Sequence, residues 1–423
     1  MIKIFKIIGM CLLLINSGKC SDFISEQIQA HENILKALEG APTLPELTCD
    51  KTSLQLGDCT KKVGLIKQYL AIFGDFSLQN NNDLFDDELK SAIRSFQKRH
   101  FMAEDGKFGK ATCDALKRDH KDLNKRILLN IQRLKKLSHD MKPEFILVNI
   151  PTYELFGIQN CGISISMKTI IGRPDRKTPE LNTKITHVVF NPTWTVPNTI
   201  FRKDKLKLIQ KDPEFLERQN FTLFDTLGDE IDPTEVPWEE ISDDDEISIK
   251  MVQSPGNWNA LGRIKFVLEN SNAIYMHDTN QHGLFKRPSR ALSSGCVRLE
   301  KPDAFAKWIM GNFVNNIKNP QLFIQKQLAT SKTRYITLNK TLPVIFSYIT
   351  TWVHHNPETD QYVLYISPDP YKKDVFPKIS EKSISPESKA EALPLIGGGI
   401  DDRKLISKLQ VSGDSFDKNS DAS

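Results

Sequence analysis

The stretch Tyr275 to Leu299, YMHDTNQHGLFKRPSRALSSGCVRL, constrains this chain more than any other. An alternating run, Asn272 to His277, reads as a strand and delivers a histidine at its end. A polar loop follows, and then a Ser-Ser-Gly-Cys turn that runs into apolar Val297 and Leu299. A lone cysteine beside a glycine, downstream of a histidine, is the pattern that thiol chemistry needs. The thiolate is the nucleophile, and a free cysteine with a pKa near ~8.5 is mostly protonated at neutral pH. A neighbouring imidazole lowers that value and can pass the proton to a leaving group. Gly295 allows the backbone close to a substrate and leaves the Cys296 amide to help hold an oxyanion. Of the two histidines, His277 is separated from Ser293 by residues 278 to 292, while His282 sits closer, in the polar loop with Gly283. On residue types alone His282 reads as a surface histidine, and Cys296 reads equally as a small buried hydrophobe.

The chain has 423 residues, enough for two to four domains, and is 39% hydrophobic, enough for real cores. Its net charge of +4 is spread along the sequence and singles out no nucleic-acid partner. Residues 1–20 read as a secretory signal, with Lys3 and Lys6 ahead of the apolar run Ile7 to Ile15. That run is short for a bilayer span, and an uncleaved anchor is the alternative. Lys19 before Cys20 argues against lipidation. The mature protein is therefore expected outside the cytoplasmic membrane, where disulfides form. Cys49, Cys59, Cys113, Cys161 and Cys296 then remain, an odd number that suits paired structural thiols and one working thiol. Cys49 and Cys59 are near enough in sequence to close a small loop. There is no Cys-x-x-Cys and no histidine cluster at metal spacing, so neither a metal nor a cofactor is expected.

Residues 24 to 41 have helical spacing (Ile24, Ile28, Ile34, Leu35, Leu38), broken by Pro42 and Pro45. Two further helices are expected around Leu65 to Leu70 and over Asp86 to Arg99, then an Asp105-Gly106 turn and a third helix ending about Leu116. Lys121 to Asp140 is strongly helical. From Phe145 onward β-branched runs alternate with Gly and Pro turns, the mark of a mostly-β domain. Residues 198–250 are charged, with an acidic run at Glu239, Glu240 and Asp243 to Glu246, and read either as a solvated insertion or as a lid over a cleft. Phe215, Phe221, Phe224 and Trp238 would be its apolar underside. Asp303 to Asn316 reads as a helix, and strands are expected at Tyr335 to Leu338, Pro343 to Trp352 and Tyr362 to Ile366. Beyond about Pro377 the chain turns polar and reads as a tail.

Two resemblances organise these readings. His277-Asp278-Thr279 and Ser293-Ser294-Gly295-Cys296-Val297-Arg298 resemble the active-site segment of the L,D-transpeptidases, the YkuD-like catalytic family. The match is to its large Gram-negative subgroup, in which Ser stands where many members carry a second His, as Ser294 does here. VVFNPTWTVP and QSPGNWNALGRIKF are similar to the same domain. SFQKRHFMAEDGKFGKATCDAL resembles the three-helix peptidoglycan-binding domain, with its FQ pair, DG turn and G-x-x-T. The implied architecture is multidomain α+β. It comprises a signal peptide (1–20), a first scaffold part (21–53), the wall-binding domain (54–118) and a scaffold helix (119–143). A mostly-β catalytic domain (144–328) follows, with a lid insertion (198–250), then a C-terminal subdomain (329–376) and a tail (377–423).

The resemblance implies acyl transfer through a thioester. Cys296 is the nucleophile, His277 the general base and acid, and Gly295 with Cys296 the oxyanion amides. Tyr275, two residues before His277 and so on the same strand face, is either a further oxyanion partner or a packed aromatic. Arg298 is either a substrate or turn-orienting group or a surface arginine; Ser294 and Trp238 complete the expected substrate contacts. Asp278 points away from His277 on a regular strand, so a backbone carbonyl is expected to orient the imidazole. The implied partners are peptidoglycan tetrapeptide stems as donor and acceptor, carbapenems as covalent inhibitors, and other wall-synthesis proteins, in the periplasm. A same-fold carboxypeptidase, a ligase or hydrolase acting between protein and wall, and a non-catalytic wall-binding protein remain as alternatives.

Overall fold

Helical periodicity governs the first third of the chain and strand periodicity most of the rest. The computed structural model describes residues 22–39, 42–78, 82–138, 142–160, 162–212, 214–242, 248–356 and 361–375. The expected leader, Cys161, the acidic residues Asp243 to Glu246 and the tail from 377 lie outside these. Helix α1 (Asp22–Leu38) is followed by α2 (Lys61–Ile72), α3 (Asp87–Arg99) and α4 (Lys110–Ser138). Asp86 caps α3, its carboxylate accepting from Leu89 N at 2.8 Å. Leu89, Ile93 and Phe96 on one face of α3 pack with Val63, Ile66 and Leu70 of α2 and Leu116 of α4. The physical sense of the FQ…DG pattern is visible here. Buried Gln97 donates to Asp105 Oδ1 (2.8 Å) and Lys107 O (3.1 Å) and accepts from Gly106 N (2.9 Å), so it holds the turn.

Three expectations change in this region. Cys49 pairs with Cys113, closing a loop of sequence separation 64, and Cys59 is a free, exposed thiol, so the small Cys49–Cys59 loop does not form. The third wall-domain helix and the scaffold helix are one 29-residue helix, α4, because no glycine or proline interrupts Lys117 to Lys121. The scaffold is in turn inseparable from the β domain. Phe23 and Ile24 of α1 and Leu134 of α4 pack on Phe156 and Trp352, and Gln27 exchanges hydrogen bonds with both backbone groups of Val353.

The β region comprises β1 (Phe145–Asn149), β2 (Glu154–Gln159), β3 (Gly162–Gly172), β4 (Leu181–Phe190), β5 (Trp194–Thr195), β6 (Phe221–Phe224), β7 (Glu230–Ile231) and β8 (Lys250–Gln253). It continues with β9 (Ile264–Leu268), β10 (Met276–His277), β11 (Ala291–Ser293), β12 (Val297–Leu299), β13 (Arg334–Ser347), β14 (Thr351–Asn356) and β15 (Gln361–Ile366). The main sheet runs β11-β3-β12-β10-β9-β4-β13-β1-β2, and β2 pairs back onto β3, which closes it on itself. Its interior is filled by Val148, Phe190, Phe266, Met276, Val297 and Phe346, with Phe305 and Ile309 of the helix Pro302–Asn312 against them. The segment 329–376 is not set apart as a subdomain. β13 lies between β4 and β1 in the main sheet, as one bulged strand where two were expected. The strand expected from Asn272 shrinks to Met276–His277, because Asn270 Oδ1 accepts from both Asn272 N and Ile274 N and curls the approach.

Residues 198–250 fold around a core of their own. β5, β8, β6 and β7 form a four-stranded sheet in that order. Phe201, Leu206, Ile209, Leu216, Leu223 and Trp238 pack against it, which a merely solvated insertion would not do.

Candidate active site

The order of strands, not sequence proximity, assembles the site. β10 lies between β9, antiparallel, and β12, parallel, with His277 opposite Lys265 on one side and Arg298 on the other. Val297 N donates to Tyr275 O at 3.1 Å, which sets Cys296 level with Tyr275 at the strand entrance. The turn before Cys296 is held from several sides. Ser293 Oγ donates to Cys296 O (2.6 Å) and accepts from Gly295 N (3.2 Å), and Thr178 Oγ1 donates to Gly295 O (2.7 Å). Gly295 has φ +123°, a conformation open to glycine. Space is not the reason for glycine there, since the nearest atom to an added Cβ is 3.5 Å away. The Gly295 amide is thus engaged by Ser293.

The thiol is half-buried. Burial pushes it above the ordinary cysteine range, opposed by hydrogen bonding from the backbone and hydroxyl of Tyr275 and by the Lys265 and Arg298 cations. Its sulfur lies 3.7 Å from Ala273 O. Tyr275 is itself pushed up by burial and by the thiol, and Trp194 of β5 hydrogen-bonds to it. The tyrosine is thus more than a packed aromatic: it touches both the Cys296 thiol and Trp194, whose strand pairs with β8. Lys265 Nζ sits 4.0 Å from the Tyr275 ring centroid.

His277 is buried, with its ring 5.5 Å from that of Tyr275. Burial, then Arg298 and Lys265, depress its imidazole to about 3, against the pull of the Asp278 and Leu261 carbonyls. Nδ1 donates to Asp278 O at 2.5 Å. This leaves Nε2 as the basic nitrogen. The Asp278 carboxylate turns to Arg263 N (2.8 Å) and Thr279 N (2.7 Å), with exposed His282 3.3 Å away. Among the described residues no hydrogen bond joins the Cys296 thiol to His277. The two stand on neighbouring strands with Tyr275 beside both.

The expected substrate contacts divide. Arg298 reaches Gln281 Oε1 (2.8 Å), and its buried Nε has no partner. Ser294 is engaged within the protein, its Oγ accepting from Arg176 Nη1 at 3.0 Å. Trp238 is corrected as a substrate contact. It is buried in the insertion, its ring packs on Phe201, and its indole N–H donates to Pro233 O at 2.8 Å.

Sequence reasoning missed Lys265 and Arg176 as site residues. Lys265 had a signal, a lysine alternating within the apolar strand Ile264–Leu268. Arg176 had none, because only the fold brings it between the turn and the insertion, where it binds Asp204 (2.5 and 3.0 Å) as well as Ser294. The NPTW and NALGR segments prove to be each other's partners. Asn259 donates to Pro192 O, and Arg263 to Asn191 Oδ1.

The thiol thus stands at the mouth of one strand and the histidine on the next, within a sheet closed on itself. Residues 143–317 match the family described as YkuD, the L,D-transpeptidase catalytic domain. Residues 60–116 match the family described as "Putative peptidoglycan binding domain". The chain therefore carries a YkuD-family L,D-transpeptidase catalytic domain joined to a peptidoglycan-binding domain. A relative from Haemophilus influenzae, named "Putative L,D-transpeptidase", is 34% identical over 239 residues. That alignment covers 55% of this chain and 46% of the relative, so the chain matches about half of that protein's length. Among solved structures, an L,D-transpeptidase from Stackebrandtia nassauensis is 13% identical, with a TM-score of 0.25, over 71% of this chain and 96% of that one. L,D-transpeptidase 3 from Mycobacterium tuberculosis, in complex with a faropenem-derived adduct, is 10% identical with a TM-score of 0.23, over 48% of this chain and 60% of that one.

Proposed function

We propose that the chain is a peptidoglycan L,D-transpeptidase that links two stem peptides through their third residues, by way of a thioester on Cys296. The observation that carries this reading is the surroundings of the thiol: the Tyr275 hydroxyl in contact with it and two cations, Lys265 and Arg298, acting on it, with His277 on the adjoining strand. These groups offset part of the cost of negative charge on sulfur and on a tetrahedral oxygen, and the two cations disfavour a resting imidazolium.

The thiol and imidazole are then both neutral before substrate arrives. As Cys296 Sγ bonds to the carbonyl carbon of the third residue of the donor stem, its proton passes to His277 Nε2. The charge growing on the carbonyl oxygen offsets the two cations and raises the affinity of His277 for that proton. The Cys296 amide and the Tyr275 hydroxyl would hold the oxyanion; loss of one such donor typically costs roughly 10²–10³ in rate. The amide C–N bond breaks, and His277 protonates the departing terminal D-alanine. An amine of the acceptor stem, the side chain of meso-diaminopimelate on this reading, attacks the thioester. His277 takes its proton, the C–S bond breaks, and the proton returns to sulfur.

The reading places the work outside the cytoplasmic membrane, which the Cys49–Cys113 disulfide favours. It also makes Cys296 the point of acylation by carbapenems. The test is incubation of the protein with disaccharide-tetrapeptide, followed by mass spectrometry, with Cys296→Ala alongside. A product lighter than two substrates by one alanine, absent from the mutant, is the expected result. Loss of alanine without dimer would make the chain a carboxypeptidase, and no change in either protein would leave a wall-binding role.

A further inference from the structure

The loop that supports His277 carries a second surface that the acyl-transfer chemistry does not use. Trp258 is 43% exposed, whereas the other described tryptophans are buried or half-buried. Its six-membered ring lies over Gly256, where a Cβ would fall within 2.3–2.7 Å of the ring atoms, so only glycine permits that contact. One edge of the indole is therefore supported by backbone while much of the ring stays open to solvent. Asn280 Nδ2 donates to Trp258 O at 2.8 Å and ties this loop to the segment leaving His277.

Exposed side-chain amides stand on the same two segments, each with one half already engaged. Asn257 Oδ1 accepts from Arg263 Nη1 (3.1 Å), and Gln281 Oε1 accepts from Arg298 Nη1 (2.8 Å). A ligand is thus offered the amide nitrogens of Asn257 and Gln281 and the amide oxygen of Asn280. An open aromatic face together with uncharged donors and acceptors suits a sugar ring, which has apolar C–H faces and hydroxyls around its rim.

We propose that Trp258, Asn257, Asn280 and Gln281 form a subsite for the glycan that bears the donor stem. The inference rests on the transpeptidase reading for its substrate. Asn280 is three residues beyond His277, a span of at most ~10 Å. The reacting carbonyl, on the third stem residue, is also three residues from the sugar and spans at most ~10 Å when extended. Because Asn280 binds Trp258 O, the exposed ring belongs to a loop tied to the segment that leaves His277.

Two measurements test this, and the first needs no turnover. Binding of the stem-free wall disaccharide to the Cys296→Ala protein is followed by saturation-transfer NMR. Transfer to the sugar is expected in that protein, lost when Trp258→Ala is added, and kept with Trp258→Phe. No binding, or binding indifferent to Trp258→Ala because the wall-binding domain takes the sugar, overturns the subsite. In the second, kcat/KM is compared for disaccharide-tetrapeptide and free tetrapeptide. The ratio is expected to fall about tenfold in Trp258→Ala; an unchanged ratio overturns the proposal. Absence of turnover in the unmodified protein would sink the transpeptidase reading, while the disaccharide measurement would still decide the subsite.

Discussion

Lys265 offers the sharpest test of how this site favours an anion. Replacing it with methionine keeps the length and apolar body of the side chain and removes the charge. Its Nζ is 4.0 Å from the Tyr275 centroid, and Tyr275 touches the thiol. Allowing one ring between them, cation and sulfur are ~7 Å apart, and at an effective dielectric of about 20 their attraction is ~2 kcal/mol. Partial exposure of the lysine screens that value. We expect Lys265→Met to slow alkylation of Cys296 by iodoacetamide at pH 7 by about ten- to thirtyfold, because Lys265 favours the thiolate. The assay is run with Cys59→Ser, since Cys59 is an exposed free thiol, and adducts are counted on the Cys296 peptide by mass spectrometry. Lys265→Arg should remain close to the unmodified rate. An unchanged or faster rate in a folded Lys265→Met protein would refute the electrostatic account and leave Lys265 as packing for Tyr275.

Arg176→Leu, which separates Asp204 from Ser294, should lower kcat by about tenfold or more, and Arg176→Leu with Asp204→Asn should be little worse than either alone, since both break one network. Additive losses measured in steady-state assays would count against a shared role. Buried His31 is held below its ordinary 6.5 by burial, and its ring nitrogens hydrogen-bond to Gln27 O and to groups of Thr351. The unfolded chain therefore takes up that proton first as pH falls through about 6.5, so the stability is present above that value and lost below it. Urea unfolding should show stability falling as pH drops below about 6.5, and His31→Gln should lessen this pH dependence; an identical dependence in both proteins would contradict it. Cys113→Ser, or reduction, removes a cross-link over a separation of 64 residues. The cost in unfolding free energy should be about 4 kcal/mol on the chain-entropy account, and equal melting curves with and without reductant would exclude it.

Much of the site was legible because its chemistry is local in sequence. His277 and the Ser293 to Arg298 turn are marked by the resemblance of two short segments to a family's motifs, and strand alternation, which turns Asp278 away from His277, carries the expectation that a carbonyl orients the imidazole. The wall-binding helices were legible for the same reason, with Asp86 marking a start and Leu89, Ile93 and Phe96 a face. What escaped the sequence was long-range or subtractive. Cys113 rather than Cys59 meets Cys49 because α4 passes beside the segment before α2. Trp238 looked available to a substrate, yet aromatic residues on a charged insertion first satisfy a core of their own. Lys265 and Arg176 acquire meaning only once β9 lies against β10 and the end of β3 meets the cysteine turn. Helix α4 runs on through Lys117 to Lys121 because nothing in that polar stretch breaks a helix.

The pairing of the chain's first described helix with its last strands has a consequence for how the molecule is made. Gln27 and His31 find their partners at Val353 and Thr351, and β13 supplies the strand between β1 and β4. During synthesis the sheet that presents His277 and Cys296 therefore stays open, and α1 without its seat, until residues beyond 330 have emerged. Contacts of such sequence separation form late and leave apolar edges exposed while they wait. A premature stop after Cys296 would yield a chain with His277 and the cysteine turn but no closed sheet to hold them, so an intact motif is no assurance of an intact site.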